Sequence, residues 1–252
     1  MQMGSKLVMV ALVALTAVGT VRSQEPTPGK VVVVTCEKNP AQSYGCYLPK
    51  AYTPKRRWPI LYCWSPVGHA DVYVKLVSAV CERRGWIAVG SMQSKNGPWP
   101  PIKEAIVAVW EDAEARLSLS ERARFATGFS GGARVSFALA EMHPEQIAGV
   151  IAVGAGLPTN GALPRKELAV YLLCGETDMN RQELDALAPR LEAAGNPVAY
   201  QNFPGGHVMS PTPLLEAGVE WLDDRSAESF EKRVAAGLAG VRARIEAGAG
   251  ME

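Results

Sequence analysis

A serine set among glycines is the first feature of this chain whose residue types and spacing could do chemistry. Gly128, Phe129, Ser130, Gly131 and Gly132 form the pattern G-x-S-x-G, with an apolar run before it and an Ala-rich run after it. Between a strand and a helix, such glycines allow a turn tight enough to lift a serine Oγ out of the sheet. The pattern predicts that Ser130 is a nucleophile and that the backbone N–H of Gly131 faces a developing oxyanion. The alternative is a serine in a structural turn.

A serine hydroxyl needs a base to take its proton, and the chain has 3 histidines. His207 follows the last predicted strand and two glycines, in "FPGGHVMSP". Loops after parallel strands share one edge of the sheet, so His207 is predicted to be the base. His143, where a helix ends before a proline, is predicted to be structural. His69 lies in the loop after the third strand and is the remaining candidate.

The base in turn needs an acid that orients its ring. Glu176 and Asp178 both follow a predicted strand, in "YLLCGETDMN". Asp178 lies about where the loop turns back toward His207, so it is favoured, and Glu176 is the alternate. The resulting chain order, Ser130, Asp178, His207, is that of the Ser…Asp/Glu…His arrangement.

These residues must be positioned by alternating strands and helices. Near-continuous apolar strands alternating with amphipathic helices predict an α/β fold, with a mostly parallel sheet covered by helices on both faces. The first two strands are expected to form an antiparallel edge hairpin. Strands are predicted at 31–36, 43–48, 59–64, 86–91, 124–129, 148–156, 169–175 and 198–203, with helices at 70–84, 102–117, 132–142, 181–194 and 212–222.

The chain from Tyr47 to Leu222 resembles the α/β-hydrolase superfamily, and is similar to serine esterases of the polyhydroxybutyrate depolymerase and feruloyl esterase group. The matching stretches, in order, are "CYLPKAYTPKRRWPILY", "TGFSGGAR", "HPEQIAGVIAVGAG", "LLCGETD" and "FPGGH". The resemblance implies a nucleophile at Ser130, a base at His207, an orienting acid at Asp178, an oxyanion N–H at Gly131 and no cofactor. Only residues 155–168 separate two strands where lipases often insert a lid, so no large cap domain is expected.

One departure from the family concerns the second oxyanion donor. These hydrolases usually carry His-Gly after the third strand, where this chain has Ser65 and Pro66, and proline has no N–H. Val67 is the predicted donor, with Gly68 or the Ser65 hydroxyl as alternatives. Substrate contacts are predicted in the same loop and in the Asn-, Trp- and Pro-rich loop after the fourth strand, which could equally be plain surface. The candidates are Trp64, Ser65, His69, Asn96 and Trp99.

Charge and composition exclude several function classes. The chain has 252 residues, with 26 basic and 25 acidic side chains, so nothing favours a nucleic-acid partner. The histidines are widely separated and no C-x-x-C or H-E-x-x-H pattern occurs, which disfavours a metal site. The substrate is expected to be a small-molecule or polymer ester. The oligomeric state cannot be read from the sequence.

The two ends of the chain have patterns of their own. Residues 1–23 have the layout of a signal peptide, with a basic residue before an uncharged apolar run, and a retained anchor is the alternative. Residues 24–30 are expected to be a flexible leader before an α/β-hydrolase domain at 31–224. Residues 225–252 carry an apolar stripe typical of an amphipathic helix, packed on the body or on a partner.

Export would permit disulfide bonds among the 5 cysteines. Cys36 and Cys46 could face each other across the first hairpin, or all five thiols could be free and buried. Together these patterns predict an exported periplasmic or secreted serine esterase without stable membrane insertion after processing. The alternative is a catalytically degenerate scaffold that acts as a binding protein.

Export is testable on the native protein. We expect cleavage before Gln24, because a basic and then apolar N-terminus ending in small residues is what a signal peptidase processes. Mass spectrometry of the protein purified from its native host should find no intact residues 1–20. An intact N-terminus would contradict cleavage and favour an anchor.

Overall fold

The structure, a computed structural model, describes residues 24–158 and 161–225. Within these ranges strands and helices alternate as the sequence predicts. The strands are β1 (Val31–Thr35), β2 (Ser43–Tyr47), β3 (Trp58–Trp64), β4 (Ile87–Ser91), β5 (Leu119–Phe129), β6 (Ile147–Val153), β7 (Ala169–Gly175) and β8 (Val198–Phe203), and the helices are α1 (Asp71–Arg84), α2 (Trp99–Arg116), α3 (Gly131–Met142), α4 (Arg181–Ala193) and α5 (Thr212–Arg225).

The strands form one sheet in the order β1-β2-β4-β3-β5-β6-β7-β8. β2 is antiparallel to both β1 and β4, whereas the pairs from β4 to β8 are parallel. The predicted fold class, including the antiparallel N-terminal edge, is therefore confirmed. Because the parallel strands run in one direction, the loops that follow β3, β5, β7 and β8 meet at one edge of the sheet.

The core lies on both faces of this sheet. All seven residues of β3 are buried. Ile60 and Tyr62 pack into the apolar cluster on one face, and Leu61 and Cys63 pack into the cluster on the other. A strand whose alternate side chains are all buried reads as a continuous apolar run, which is why β3 shows no polar alternation.

The cysteines are free thiols rather than half-cystines. All five are buried without a disulfide. In the hairpin register Cys46 lies opposite Val32, and the N–H of Cys36 bonds to the carbonyl of Gln42. The suggested Cys36–Cys46 bridge is therefore wrong, because neither cysteine lies opposite the other. Burial raises the pKa of the Cys36 thiol to about 12, so it stays protonated and unreactive.

The last residues of the leader contact the end of β2. The N–H of Gly29 donates to the carbonyl of Leu48 at 2.7 Å, and Pro28 forms an isolated bridge with Leu48. Residues 28–30 thus lie against the end of β2, and the flexibility of the leader stays a prediction. The predicted signal peptide at 1–23 lies outside the described residues, as does the predicted C-terminal helix beyond Arg225. Within the ranges that the structure does describe, every helix is too short or too polar to cross a membrane.

His143 is a packing residue at the end of α3. Its imidazole stacks on Trp110 with 3.8 Å between ring centroids and 11° between planes. Trp110 is also stacked on Tyr62 and faces the guanidinium of Arg124. Burial lowers the pKa of His143 from its ordinary value of 6.5, and the nearby charge of Arg124 acts in the same direction. Folding therefore disfavours the protonated form of the His143 ring.

This stacking predicts a pH-dependent part of the stability. A histidine whose folded-state pKa is lowered binds fewer protons when folded, so its contribution is complete above the unfolded pKa of about 6.5 and is lost as pH falls through the lower folded value. His143→Phe keeps an aromatic ring on Trp110 and cannot titrate. Denaturant unfolding at about pH 7.5 and about pH 5.5 should show a smaller loss of stability on acidification in His143→Phe than in the wild type. Equal losses would contradict a lowered pKa of His143 in the folded protein.

Candidate active site

Ser130 occupies a strained turn between β5 and α3. Its backbone has φ 53° and ψ −120°, in the left-handed half of the map that side chains other than glycine rarely adopt. The N–H of Ser130 is held by the carbonyl of Val153 at 2.8 Å. Such a conformation costs about 1–3 kcal/mol and persists only where surrounding structure enforces it. The strain raises the Ser130 side chain above the end of the sheet.

The flanking glycines are required by close backbone contacts. A Cβ on Gly128 would lie 2.4 Å from the carbonyl of Gly132, and a Cβ on Gly132 would lie 2.2 Å from the carbonyl oxygen of Trp64. Both neighbours are backbone atoms, so neither can move aside cheaply. The turn is therefore tight because β5, α3 and β3 approach one another without room for side chains.

His207 lies beside Ser130 in the loop after β8. The Nε2 of His207 is 2.8 Å from the Oγ of Ser130. The ring is tilted against Phe129, with 4.7 Å between centroids, and only 19% of the side chain is exposed. Gly205 precedes it with φ 141°. The loop brings the imidazole over the sheet edge, as the two glycines of "FPGGH" suggest.

Asp178 lies behind the ring. Its Oδ1 and Oδ2 are 2.9 and 3.0 Å from the Nδ1 of His207, and its side chain is fully buried. The alternate acid, Glu176, is exposed, and no contact joins it to His207. The hydroxyl of Thr177, between the two acids, donates to the carbonyl of Gly205 at 3.0 Å and ties the β7 and β8 loops together. The structure thus brings together Ser130, His207 and Asp178, and leaves Glu176 outside.

Asn180 is a supporting residue that sequence reasoning missed. Its backbone N–H donates to the Oδ1 of Asp178 at 2.8 Å, and its side-chain amide donates to the carbonyl of Gly154 at 2.8 Å. A Cβ on Gly154 would lie 3.0 Å from both Asp178 and Phe129, so the group is packed around that glycine. The hydrogen bond from the N–H of Asn180 to the carboxylate of Asp178, two residues earlier, forms an Asx turn. An Asp in a loop after a strand is the sequence signal that could have suggested it.

The predicted second oxyanion donor has an internal partner. The N–H of Val67 donates to the Oγ of Ser65 at 3.2 Å, and the Val67 side chain is exposed. Ser65 itself is 6% exposed. Beyond Gly68, the N–H groups of His69 and Ala70 donate to the carbonyls of Met92 and Ser91. Gly131, the predicted first donor, begins the twelve-residue helix α3.

A cleft of about 970 Å³ opens beside Ser130. Asn96 and Trp99, two of the predicted substrate contacts, line it, and α3 supplies one wall through Arg134, Val135 and Ala138. Arg134 is already neutralised by Glu183, whose carboxylate it binds at 2.8 and 2.7 Å.

Three of the predicted substrate contacts lie outside the residues that line this cleft, and one of them is Ser65, which is 6% exposed. Trp64 is only 1% exposed and packs in the core. His69 is exposed on the loop after β3 but lies outside the residues that line the cleft. Alternation of side chains along β3 would predict only which face of the sheet Trp64 lies on. Because both faces are covered, the sequence did not indicate whether Trp64 would be buried or exposed.

Among the described residues, no three His, Cys, Asp or Glu side chains are grouped as a metal site would require.

Comparisons with known proteins agree on the fold. No family model matches the sequence, and no curated protein matches it either. Solved structures do match. A thermostable esterase aligns with TM-score 0.61 and 15% identity over 78% of this chain, which spans 63% of that protein's length. S-formylglutathione hydrolase from Staphylococcus aureus aligns with TM-score 0.61 and 12% identity over 77% of this chain and 98% of that one. The feruloyl esterase module from Clostridium thermocellum aligns with TM-score 0.58 and 15% identity, over 77% and 87%.

At these identities the likeness establishes the α/β-hydrolase fold. Its structural neighbours are esterases and serine hydrolases. The predicted resemblance is confirmed at this level, together with the order of strands and helices. No large cap is inserted between β6 and β7 in the part of the chain that is described.

Because the turn around Ser130 has no room for a side chain at Gly132, we expect a larger residue there to destabilise the folded protein. Gly132→Ala places a Cβ against the backbone carbonyl of Trp64 and should lower the free energy of unfolding by about 1–3 kcal/mol. Gly206→Ala is the matched control, because its Cβ would meet nothing closer than 3.6 Å. Denaturant unfolding of both variants checks this. Wild-type stability in Gly132→Ala would show that β3 and α3 can separate.

Proposed function

We propose that this protein is a serine hydrolase that cleaves carboxylic esters through Ser130, His207 and Asp178. The observation that carries the proposal is the chain of contacts from Asp178 through His207 to Ser130, at 2.9 and 2.8 Å. A neutral imidazole can donate its Nδ1–H to the buried carboxylate while Nε2 accepts the serine proton. The strained turn at Ser130 adds support, since strain of this kind clusters at functional sites.

Acylation follows from this geometry. The Oγ of Ser130 attacks the ester carbonyl carbon while its proton passes to Nε2 of His207, and the carbonyl π electrons move onto oxygen. The N–H of Gly131 at the start of α3 stabilises that oxyanion. When the tetrahedral intermediate collapses, the bond to the alcohol oxygen breaks and His207 returns the proton to that oxygen. An acyl group remains on Ser130.

Deacylation repeats the cycle with water. His207 takes a proton from water, the hydroxide attacks the acyl carbon, and the bond to Ser130 breaks as the proton returns to its Oγ. Asp178 holds the ring in the tautomer that presents Nε2 and stabilises the imidazolium in both halves. Asn180 is a positioning residue here, because its N–H fixes the carboxylate of Asp178.

The cleft favours short-chain, aryl or accessible polymer esters over long lipids. It is open, since no cap covers it in the described residues, and Trp99, 43% exposed, offers an aromatic face. A feruloyl esterase module is among its structural neighbours. The proposed setting is extracytoplasmic, after removal of residues 1–23, which rests on the N-terminal pattern alone. The substrate is expected to bind without a cofactor.

Substitution of the base and the acid tests this proposal. His207→Ala should lower kcat by about 10⁴- to 10⁶-fold, because no group then accepts the serine proton. Asp178→Asn should cost about 10⁴-fold, since the amide favours the wrong tautomer. Hydrolysis of short p-nitrophenyl esters measures both effects.

Two variants serve as matched controls. Glu176→Gln changes an exposed acid two residues from Asp178, and His143→Phe changes a histidine that stacks on Trp110. Both should retain kcat within about threefold, as surface or packing changes away from a site do. Loss of activity in Glu176→Gln but not in Asp178→Asn would show that Asp178 is not the orienting acid and that Glu176 is. A wild type without turnover on any ester would favour the alternative, a binding scaffold.

A further inference from the structure

The loop after β3 offers few free donors for an oxyanion. Pro66 has no N–H, and the N–H groups of Val67 and His69 are engaged at 3.2 and 3.0 Å by Ser65 and Met92. Only Gly68 in this segment has an N–H to which the described residues give no acceptor. Within the loop, the remaining candidates are the N–H of Gly68 and the hydroxyl of Ser65, which is 6% exposed and already accepts from Val67.

Asn96 is held against this region by its backbone. Its N–H donates to the carbonyl of Pro66 at 2.8 Å, and the preceding residue, Lys95, forms an antiparallel bridge with Val67. The loops after β3 and β4 are thus joined beside the Ser130 turn. Asn96 is thereby placed at the mouth of the cleft, next to Ser130 and Gly131.

The side-chain amide of Asn96 lies directly on Gly131. A Cβ on Gly131 would fall 1.7 Å from the Oδ1 of Asn96, 2.8 Å from its Cγ and 3.3 Å from its Nδ2. The amide therefore fills the space that a side chain at 131 would occupy, beside the N–H that faces the oxyanion. Gly128 and Gly132 are required by backbone contacts, whereas the close neighbours of Gly131 are atoms of this movable amide.

We infer that Asn96 supplies the second oxyanion donor, through its Nδ2–H, beside the N–H of Gly131. This inference rests on the proposed function. Oδ1 is the amide atom nearest Gly131 in this structure, so the donor role requires a half-turn about the Cβ–Cγ bond that exchanges Oδ1 and Nδ2. Asn96 is exposed at the cleft, and no hydrogen bond to another described residue holds its amide in the present orientation. When Ser130 attacks, the carbonyl oxygen gains the π electron pair and accepts hydrogen bonds from Gly131 and Asn96. Gly131 and Asn96 only donate hydrogen bonds and keep their protons. The one proton transferred in this step moves from the Oγ of Ser130 to the Nε2 of His207.

Substitution of Asn96 tests the inference. Asn96→Ala should lower kcat by about 10²- to 10³-fold with little change in KM, because the bond forms mainly in the transition state. Asn96→Asp keeps the shape, removes the donor and adds a charge, so its loss should be at least as large. Lys95→Ala, the adjacent exposed residue, is the matched control and should retain wild-type kcat. Affinity for an aryl boronic acid, which mimics the tetrahedral state, should fall with kcat.

A second measurement tests the contact itself. Gly131→Ala should displace the flexible amide of Asn96 and lower kcat to a similar extent. The double variant Gly131→Ala/Asn96→Ala should then show little more loss of kcat than either single variant, because each substitution removes the same donor, the amide of Asn96. Additive losses would overturn the inference.

The outcomes separate the inference from the proposed function. An active wild type with kcat retained within about threefold in Asn96→Ala would overturn the inference alone and return the donor role to the N–H of Gly68 or the hydroxyl of Ser65. An inactive wild type would overturn both. Parallel loss of kcat and boronic acid affinity, with unchanged thermal unfolding, would support a donor at Asn96.

Discussion

The close approach of three backbones at the end of β5 is the constraint on which the rest of the site depends. β5 and α3 meet β3 so tightly that neither Gly128 nor Gly132 has room for a Cβ. The turn can close only by forcing Ser130 into a left-handed conformation, at a cost that the packing of the sheet must offset. As a result, the hydroxyl of Ser130 lies at the start of α3, 2.8 Å from Nε2 of His207.

Parallel strand pairing then brings the remaining groups to that hydroxyl. Because β5, β7 and β8 run in one direction, Asp178 and His207 leave the sheet at the same edge as Ser130. Short loops alone would not fix their geometry. Hydrogen bonds between the loops do so, from the hydroxyl of Thr177 to the carbonyl of Gly205 and from the amide of Asn180 to the carbonyl of Gly154. The imidazole is thus held in one place beside Ser130, which is the preorganisation that the proposed proton transfer requires.

What the sequence could predict depended on local patterns. The apolar periods predicted the strands and helices, and the glycine pattern pointed to Ser130, because both signals are contained in short windows. Asp178 was favoured over Glu176 by loop position alone. Long-range contacts left no local signal, so the burial of Trp64, the register that separates Cys36 from Cys46, and the amide of Asn96 against Gly131 needed the folded chain.

The central claim is that Ser130 is a nucleophile activated by His207, and covalent labelling tests it most directly. Purified protein would be treated with a fluorophosphonate probe, digested and mapped by mass spectrometry. The account predicts a single adduct on the peptide that carries Ser130, which is absent in Ser130→Ala and strongly slowed in His207→Ala. Labelling that persists in Ser130→Ala, or that proceeds at an unchanged rate in His207→Ala, would contradict it.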